Sequence, residues 1–163
     1  FISRQQIVIL DWFEGERKTP ITNSSITIRP ILQEDIPVVT KVDQNSFEKL
    51  WQLSQAGLTA AYNQSSYATV AEYENEIIGY QISNLTTNSA HLSRLAVLPK
   101  LQNKHIGKML VDDLLSYYTC SGIKHVTVNT QHNNAASLAL YKNMGFSLTR
   151  ESFPVYFYPF DEV

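Results

Sequence analysis

Apolar residues recur along the chain at two spacings, every second position and every third or fourth. The switches between them divide it into elements. Gln6 to Phe13 is a strand-like run ended by Glu14-Gly15-Glu16-Arg17. Ser25 to Ile31 alternates, Ile26 and Ile28 against Thr27 and Arg29, and predicts a strand that Pro30 helps to end. Ile36, Val39 and Val42 predict a helix from Gln33 to about Phe47, with Glu34 and Asp35 in the first turn, where the helix dipole favours acids. Leu50, Leu53, Leu58 and Tyr62 predict a second helix over 50–62, and Gly57 predicts a kink or break in it. Ser66 to Tyr73 and Glu76 to Leu85 read as a hairpin turned by Glu74-Asn75. Thr86 to Ser89 is the next turn.

The central stretch is a strand, a loop and a helix. Leu92 to Leu98 is apolar and bounded by Pro99, and Lys100 to Gly107 is polar and cationic. Leu110, Val111, Leu114, Leu115 and Tyr118 then share one face of a helix that Gly122 ends. Amides at a helix start have no partner inside the helix, so this loop, with Lys104 and Lys108, predicts a site for a phosphorylated ligand. His125 to Gln131 is a further strand. Asn133 or Asn134 caps a helix that runs through Met144 and stops at Gly145. Phe146 to Leu148 opens a strand, and the aromatic run Phe153 to Phe160 is a last strand or a strand and loop. These elements predict a mixed sheet, with a helical crossover into the strand at 125 and a ligand where neighbouring strands diverge.

With 163 residues, 44% of them hydrophobic, the chain is long enough for one domain with a full core. Thirteen basic against fifteen acidic residues argue against a general nucleic-acid binder. No apolar run reaches the length of a membrane span, and Ile7 to Leu10 is too short for a signal-peptide core. The lone Cys120 fits a reducing, cytoplasmic setting, and its neighbours Tyr117, Tyr118 and Ser121 suggest that it packs. Residues 1–22 form an N-terminal strand or arm, which either adds to the sheet edge or pairs with another copy to make a homodimer; 23–163 form the main domain.

Two segments carry a family resemblance. Leu95-Ala-Val-Leu-Pro-Lys-Leu-Gln-Asn-Lys-His-Ile-Gly-Lys108 resembles motif A of the GNAT superfamily of N-acetyltransferases; Gln102 and Gly107 match, while His105 stands where the first glycine is expected. Asn134-Ala-Ala-Ser-Leu-Ala-Leu-Tyr-Lys-Asn-Met-Gly-Phe146 resembles the second family motif at the right distance. The motifs are nearest to those of the ribosomal-protein N-terminal acetyltransferases, with departures. The resemblance spans about Ile26 to Phe146 and implies a GNAT-like α/β (α+β) fold: a mixed, twisted, mostly antiparallel sheet of six to seven strands with helices on both faces.

It also implies acetyl-CoA as co-substrate. Backbone groups of Leu95, Ala96 and Val97 would bind the pantetheine arm. Amides around Gln102, Asn103, Lys104, His105, Ile106, Gly107 and Lys108 would hold the pyrophosphate, and Asn134 would contact the cofactor arm. Tyr141 would lie beside the thioester sulfur and protonate the departing thiolate, although a core tyrosine accounts for the same residue. Direct attack of an amine on a thioester needs no enzyme nucleophile.

One branch of the family has a basic glutamate where this chain has Asn129, which takes no proton at neutral pH. Another has it where this chain has His91, whose ordinary pKa suits a base working through water. His132, Glu72 and Glu34 are weaker candidates. Tyr156, Phe157, Tyr158 and Phe160 offer either a wall of the acceptor site or edge-strand packing. The four histidines lack metal-ligand spacing, and Met109 after Lys108 breaks a phosphate-binding P-loop pattern. The expected activity is N-acetylation of a primary amine on a small molecule or a protein; the competing reading is an acyl-CoA-binding sensor or scaffold without turnover.

Overall fold

The computed structural model describes residues 3–15 and 20–157. Seven strands, β1 (Ser3–Phe13), β2 (Ile26–Pro30), β3 (Tyr67–Tyr73), β4 (Glu76–Leu85), β5 (Ala90–Val97), β6 (His125–Gln131) and β7 (Ser147–Phe157), form one sheet in the order β2-β3-β4-β5-β6-β1-β7. Every pairing is antiparallel except β5 with β6. Four helices complete the fold: α1 (Ile36–Ser46), α2 (Gln55–Gln64), α3 (Ile106–Cys120) and α4 (Ala135–Asn143). Short 3-10 turns at Gln33–Asp35, Lys49–Trp51 and Pro99–Lys104 join them.

The sheet is mixed, mostly antiparallel and covered by helices on both faces, as the resemblance implies. On one face α1 and α2 bury Ile36, Val39, Val42 and Leu58 against Val70, Tyr80 and Ile82. On the other, Val111, Leu114, Leu115 and Tyr118 of the α3 stripe are buried among residues of β1, β5 and β6, and Leu110 among residues of β2, β3, β4 and β5. α4 joins that second core through Tyr141.

Several boundaries differ from the pattern-based reading. The helix expected over 50–62 breaks before Gly57, at Gln52 to Ser54; the Ser54 hydroxyl caps α2 by accepting the Gly57 amide at 3.0 Å. A side-chain cap supplies the partner that the first turn lacks, so α2 starts there. Ile106 and Gly107, read as loop, are the first turn of α3. The C-terminal run is one continuous strand through Phe157; Tyr158 and Phe160 lie outside the described residues. Cys120 is exposed, because the buried stripe of α3 ends on the opposite side with Tyr118.

β1 is an interior strand and not an edge. It pairs with β6 from Ile7–Gln131 to Phe13–His125 and with β7 on its other side, all within one chain. No helix among the described residues is long and apolar enough to cross a membrane.

Candidate active site

β5 and β6 are paired only from Ala90–Val126 to Leu92–Val128. Beyond Leu92 the two strands part, and two cavities open along the parting. The larger, about 650 Å³, runs along Leu95, Ala96 and Val97 to Gln102, Asn103, His105, Gly107 and Lys108, with Asn134 and α4 on its far side. The smaller, about 300 Å³, lies between Leu92–Leu95 of β5 and Val128–Gln131 of β6, and is walled by Phe47, Trp51, Ile7 and Tyr141. Phe47, Leu95, Asn134 and Ser137 line both, so the cavities meet there.

The larger groove ends on the N-terminus of α3. The first bond of that helix runs from the Met109 amide to the His105 carbonyl at 3.0 Å, so the amides of Ile106, Gly107 and Lys108 precede the helical ladder and point out of it. His105, at φ +62°, ψ +18°, is left-handed. That is the conformation glycine adopts without strain, which accounts for the glycine expected at this position. The Gln102 amide nitrogen donates to the Val97 carbonyl at 3.1 Å and ties this loop to the end of β5. Of the residues expected to hold a cofactor, only Lys104 and Ile106 do not line the groove. Lys104 stands over the Tyr73 ring at 5.5 Å, and the Ile106 side chain is fully buried in the core, though its amide belongs to the helix start.

Asn134 caps α4, its side-chain oxygen accepting the Ser137 amide at 3.1 Å. Tyr141 sits two turns into α4, 5% exposed; burial pushes its phenol well above the usual tyrosine range, so it keeps its proton throughout ordinary assay conditions. His91 faces Thr127 across the last paired stretch, Nδ1 2.8 Å from the hydroxyl. That hydroxyl also reaches the Ala90 carbonyl at 3.5 Å. The short contact to Nδ1 fixes the ring's orientation against β6. Burial lowers the His91 pKa and keeps the ring neutral. His91 itself lies one residue short of the cavity lining, which begins at Leu92.

The other candidates separate. Asn129 lines the smaller cavity. His132 is exposed, its ring nitrogen 3.3 Å from the Gln6 carbonyl. Glu72 pairs with Arg29 on β2 and lies outside both cavities, as does the exposed Glu34. Phe157 meets Trp51 edge-on, centroids 5.6 Å apart, and so braces the wall of the smaller cavity.

Pattern reading missed that wall. Phe47 and Trp51 lie in the break between α1 and α2, and Arg94 and Asp43 hold them. A signal was present: Asp43 falls two helical turns after Ile36, on the face that also carries Val39 and Val42.

Parted parallel strands, with a groove running from the parting onto a helix N-terminus, define a class: an α/β protein built to lay an extended, anionic ligand across its sheet. Residues 33–146 match the acetyltransferase (GNAT) family, and the chain belongs to it. Over 121 residues it is 22% identical to the ribosomal protein bS18-alanine N-acetyltransferase of Salmonella typhimurium, covering 74% of this chain and 80% of that one. A GCN5-related N-acetyltransferase structure from Sphaerobacter thermophilus superposes with a TM-score of 0.79 at 12% identity, over 98% of this chain and 54% of that one, so the chain spans about half its length. The PaiA N-acetyltransferase of Thermoplasma acidophilum, solved in complex with coenzyme A, superposes with a TM-score of 0.67 at 21% identity, over 73% of this chain and 87% of that one.

Proposed function

We propose that the chain transfers acetyl from acetyl-CoA directly to a primary amine, in a ternary complex. One observation carries this reading: two cavities meet at the parting of β5 and β6, one leading to the amides at the start of α3, the other open toward an acceptor. The larger fits a coenzyme arm and its diphosphate. The backbone of Leu95 to Val97 runs along the groove, the amides of residues 106–108 and the charge of Lys108 suit the diphosphate, and Asn134 flanks the arm. The bound coenzyme supplies the thioester.

In the smaller cavity the attacking amine nitrogen forms the new bond to the acetyl carbon as the carbon–sulfur bond breaks, and one proton must pass from nitrogen to sulfur. Tyr141, held protonated by burial, gives its proton to the departing sulfur, and the proton that leaves the amine returns to the phenolate by way of His91 and water, so that one proton passes in net from nitrogen to sulfur. His91, kept neutral by burial, takes the amine proton through water. Asn129 lines the cavity but cannot act as a base. The acceptor is a small-molecule or protein amine, and the names of the curated relatives favour a protein N-terminus.

Calorimetry with acetyl-CoA, and release of coenzyme thiol with a panel of amines, tests the reading. Tyr141→Phe should cut turnover by about tenfold or more while leaving acetyl-CoA affinity nearly unchanged. Unchanged turnover removes Tyr141 from its role, and no heat with acetyl-CoA removes the reading.

A further inference from the structure

The acceptor-side cavity has one wall that is not part of the sheet. It is the segment 47–53 between α1 and α2, which contributes Phe47 and Trp51. A connection whose regular structure is a single 3-10 turn, Lys49–Trp51, is free to move unless something fixes it.

A buried charge cluster does so. Asp43 is 0% exposed and accepts the Tyr80 hydroxyl and the Leu53 amide, the latter at 2.8 Å. The Arg94 guanidinium, on β5 at the rim of the cavity, meets the same carboxylate through Nε at 2.7 Å and Nη2 at 3.0 Å. Nη2 also donates to the Trp51 carbonyl at 2.5 Å, and the guanidinium carbon lies 4.1 Å over the Phe47 ring. Arg94 therefore touches both aromatic residues of the wall, while Asp43 holds the segment's far end. A planar fork serves all these partners at once, which a lysine ammonium cannot do.

We propose that Arg94 is a positioning residue for the acceptor: it fixes Phe47 and Trp51 opposite Asn129 to Gln131 and thereby sets which amines fit. The proposal rests on the acetyl-transfer reading for its kinetic consequence. Arg94 lies outside the groove assigned to the coenzyme. Of the wall residues only Phe47 reaches that groove, at the junction of the two cavities, so a change at Arg94 acts first on acceptor KM.

The test compares the full chain with its Arg94→Lys variant, using an alanine-initiated peptide, spermidine and glucosamine as probe amines. For the best probe, acceptor KM should rise about tenfold, with kcat within about threefold and acetyl-CoA affinity unchanged. Hydrogen exchange should quicken at the Leu53 amide and across 47–53, and stay unaltered in β5 and β6. Unmoved acceptor KM, unmoved exchange in 47–53, or a parallel loss of acetyl-CoA affinity overturns the proposal. If Arg94→Lys fails to fold, Trp51→Ala takes its place, since Trp51 lines the smaller cavity and not the coenzyme groove; a wall that selects acceptors requires the same KM rise, and its absence overturns the proposal equally. Failure of every probe with the unaltered chain refutes acetyl transfer itself and this kinetic role with it. Turnover with an indifferent wall refutes this proposal alone.

Discussion

His105 provides a direct test of the geometry at the start of α3. Its backbone is left-handed, at φ +62°, and no side-chain hydrogen bond to the helix end offsets the strain. A side chain with a Cβ costs roughly 1–2 kcal/mol in this region. Glycine is free of that cost but loses more freedom on folding, which takes back about 0.5–1 kcal/mol. The clean comparison is between His105→Gly and His105→Ala, since both remove the imidazole and only alanine keeps the Cβ. Glycine should exceed alanine by about 1 kcal/mol, and in a chain of this size that is about 2–4 °C in Tm. Alanine should lie close to the unaltered chain. Thermal and urea unfolding without acetyl-CoA give the difference, because a ligand bound to the native state would add its own stabilisation. If alanine matches glycine within error, the residue is not held left-handed, and the helix start is built differently.

Two other substitutions bear on the same site. A Cβ on Gly79 would lie 2.9 Å from the Ala96 carbonyl oxygen and 3.2 Å from Val97 Cγ2. Gly79→Ala should therefore destabilise by about 2 kcal/mol, read by urea unfolding, and weaken acetyl-CoA in calorimetry, since the strand it pushes is the one lining the larger groove. For His91, burial lowers the folded pKa below the unfolded value of about 6.5, so the unfolded chain binds more protons just below that pH. Stability is thus lost as pH falls through about 6.5 toward the folded pKa. His91→Gln should shrink the loss measured between about pH 7.5 and pH 5.5 and flatten the acid limb of the pH–rate profile; an unaltered acid limb excludes the base role.

Local chemistry made much of this fold readable, and non-local chemistry hid the rest. The α3 stripe was legible because five apolar residues on one face admit one arrangement against a sheet, and all five are buried. The Glu74-Asn75 turn was legible too, and both residues take the positive φ a tight hairpin needs. The strand nature of residues 6–13 was written in their apolar run, but their place was not. Their partners lie more than a hundred positions away in β6 and β7, and nothing local encodes that. At the site, the residues lining the larger groove sit in a contiguous motif and could be found by resemblance. The wall of the smaller cavity is held together by Asp43, Phe47, Trp51 and Arg94 from separate parts of the chain, and a lone aspartate or arginine that pairs inside the fold looks in sequence like any solvated charge.

The place of β1 explains how the two strands at the site can part at all. A strand that leaves its neighbour exposes backbone N–H and C=O groups, which are costly to bury without partners. β6 shares only three residue pairs with β5, yet from His125 to Gln131 its other edge is paired with β1. It is held straight from that side, and β7 in turn covers the outer edge of β1. The facing edges of β5 and β6 border the cavities, and Gln102 and Ser46 supply donors to the carbonyl of Val97 at the end of β5. β4 plays the matching part for β5, pairing with it from Ala90 to Val97. The cleft is therefore a gap between two strands, each anchored on its far side, and the N-terminal segment is as much a part of it as the motif residues that line it.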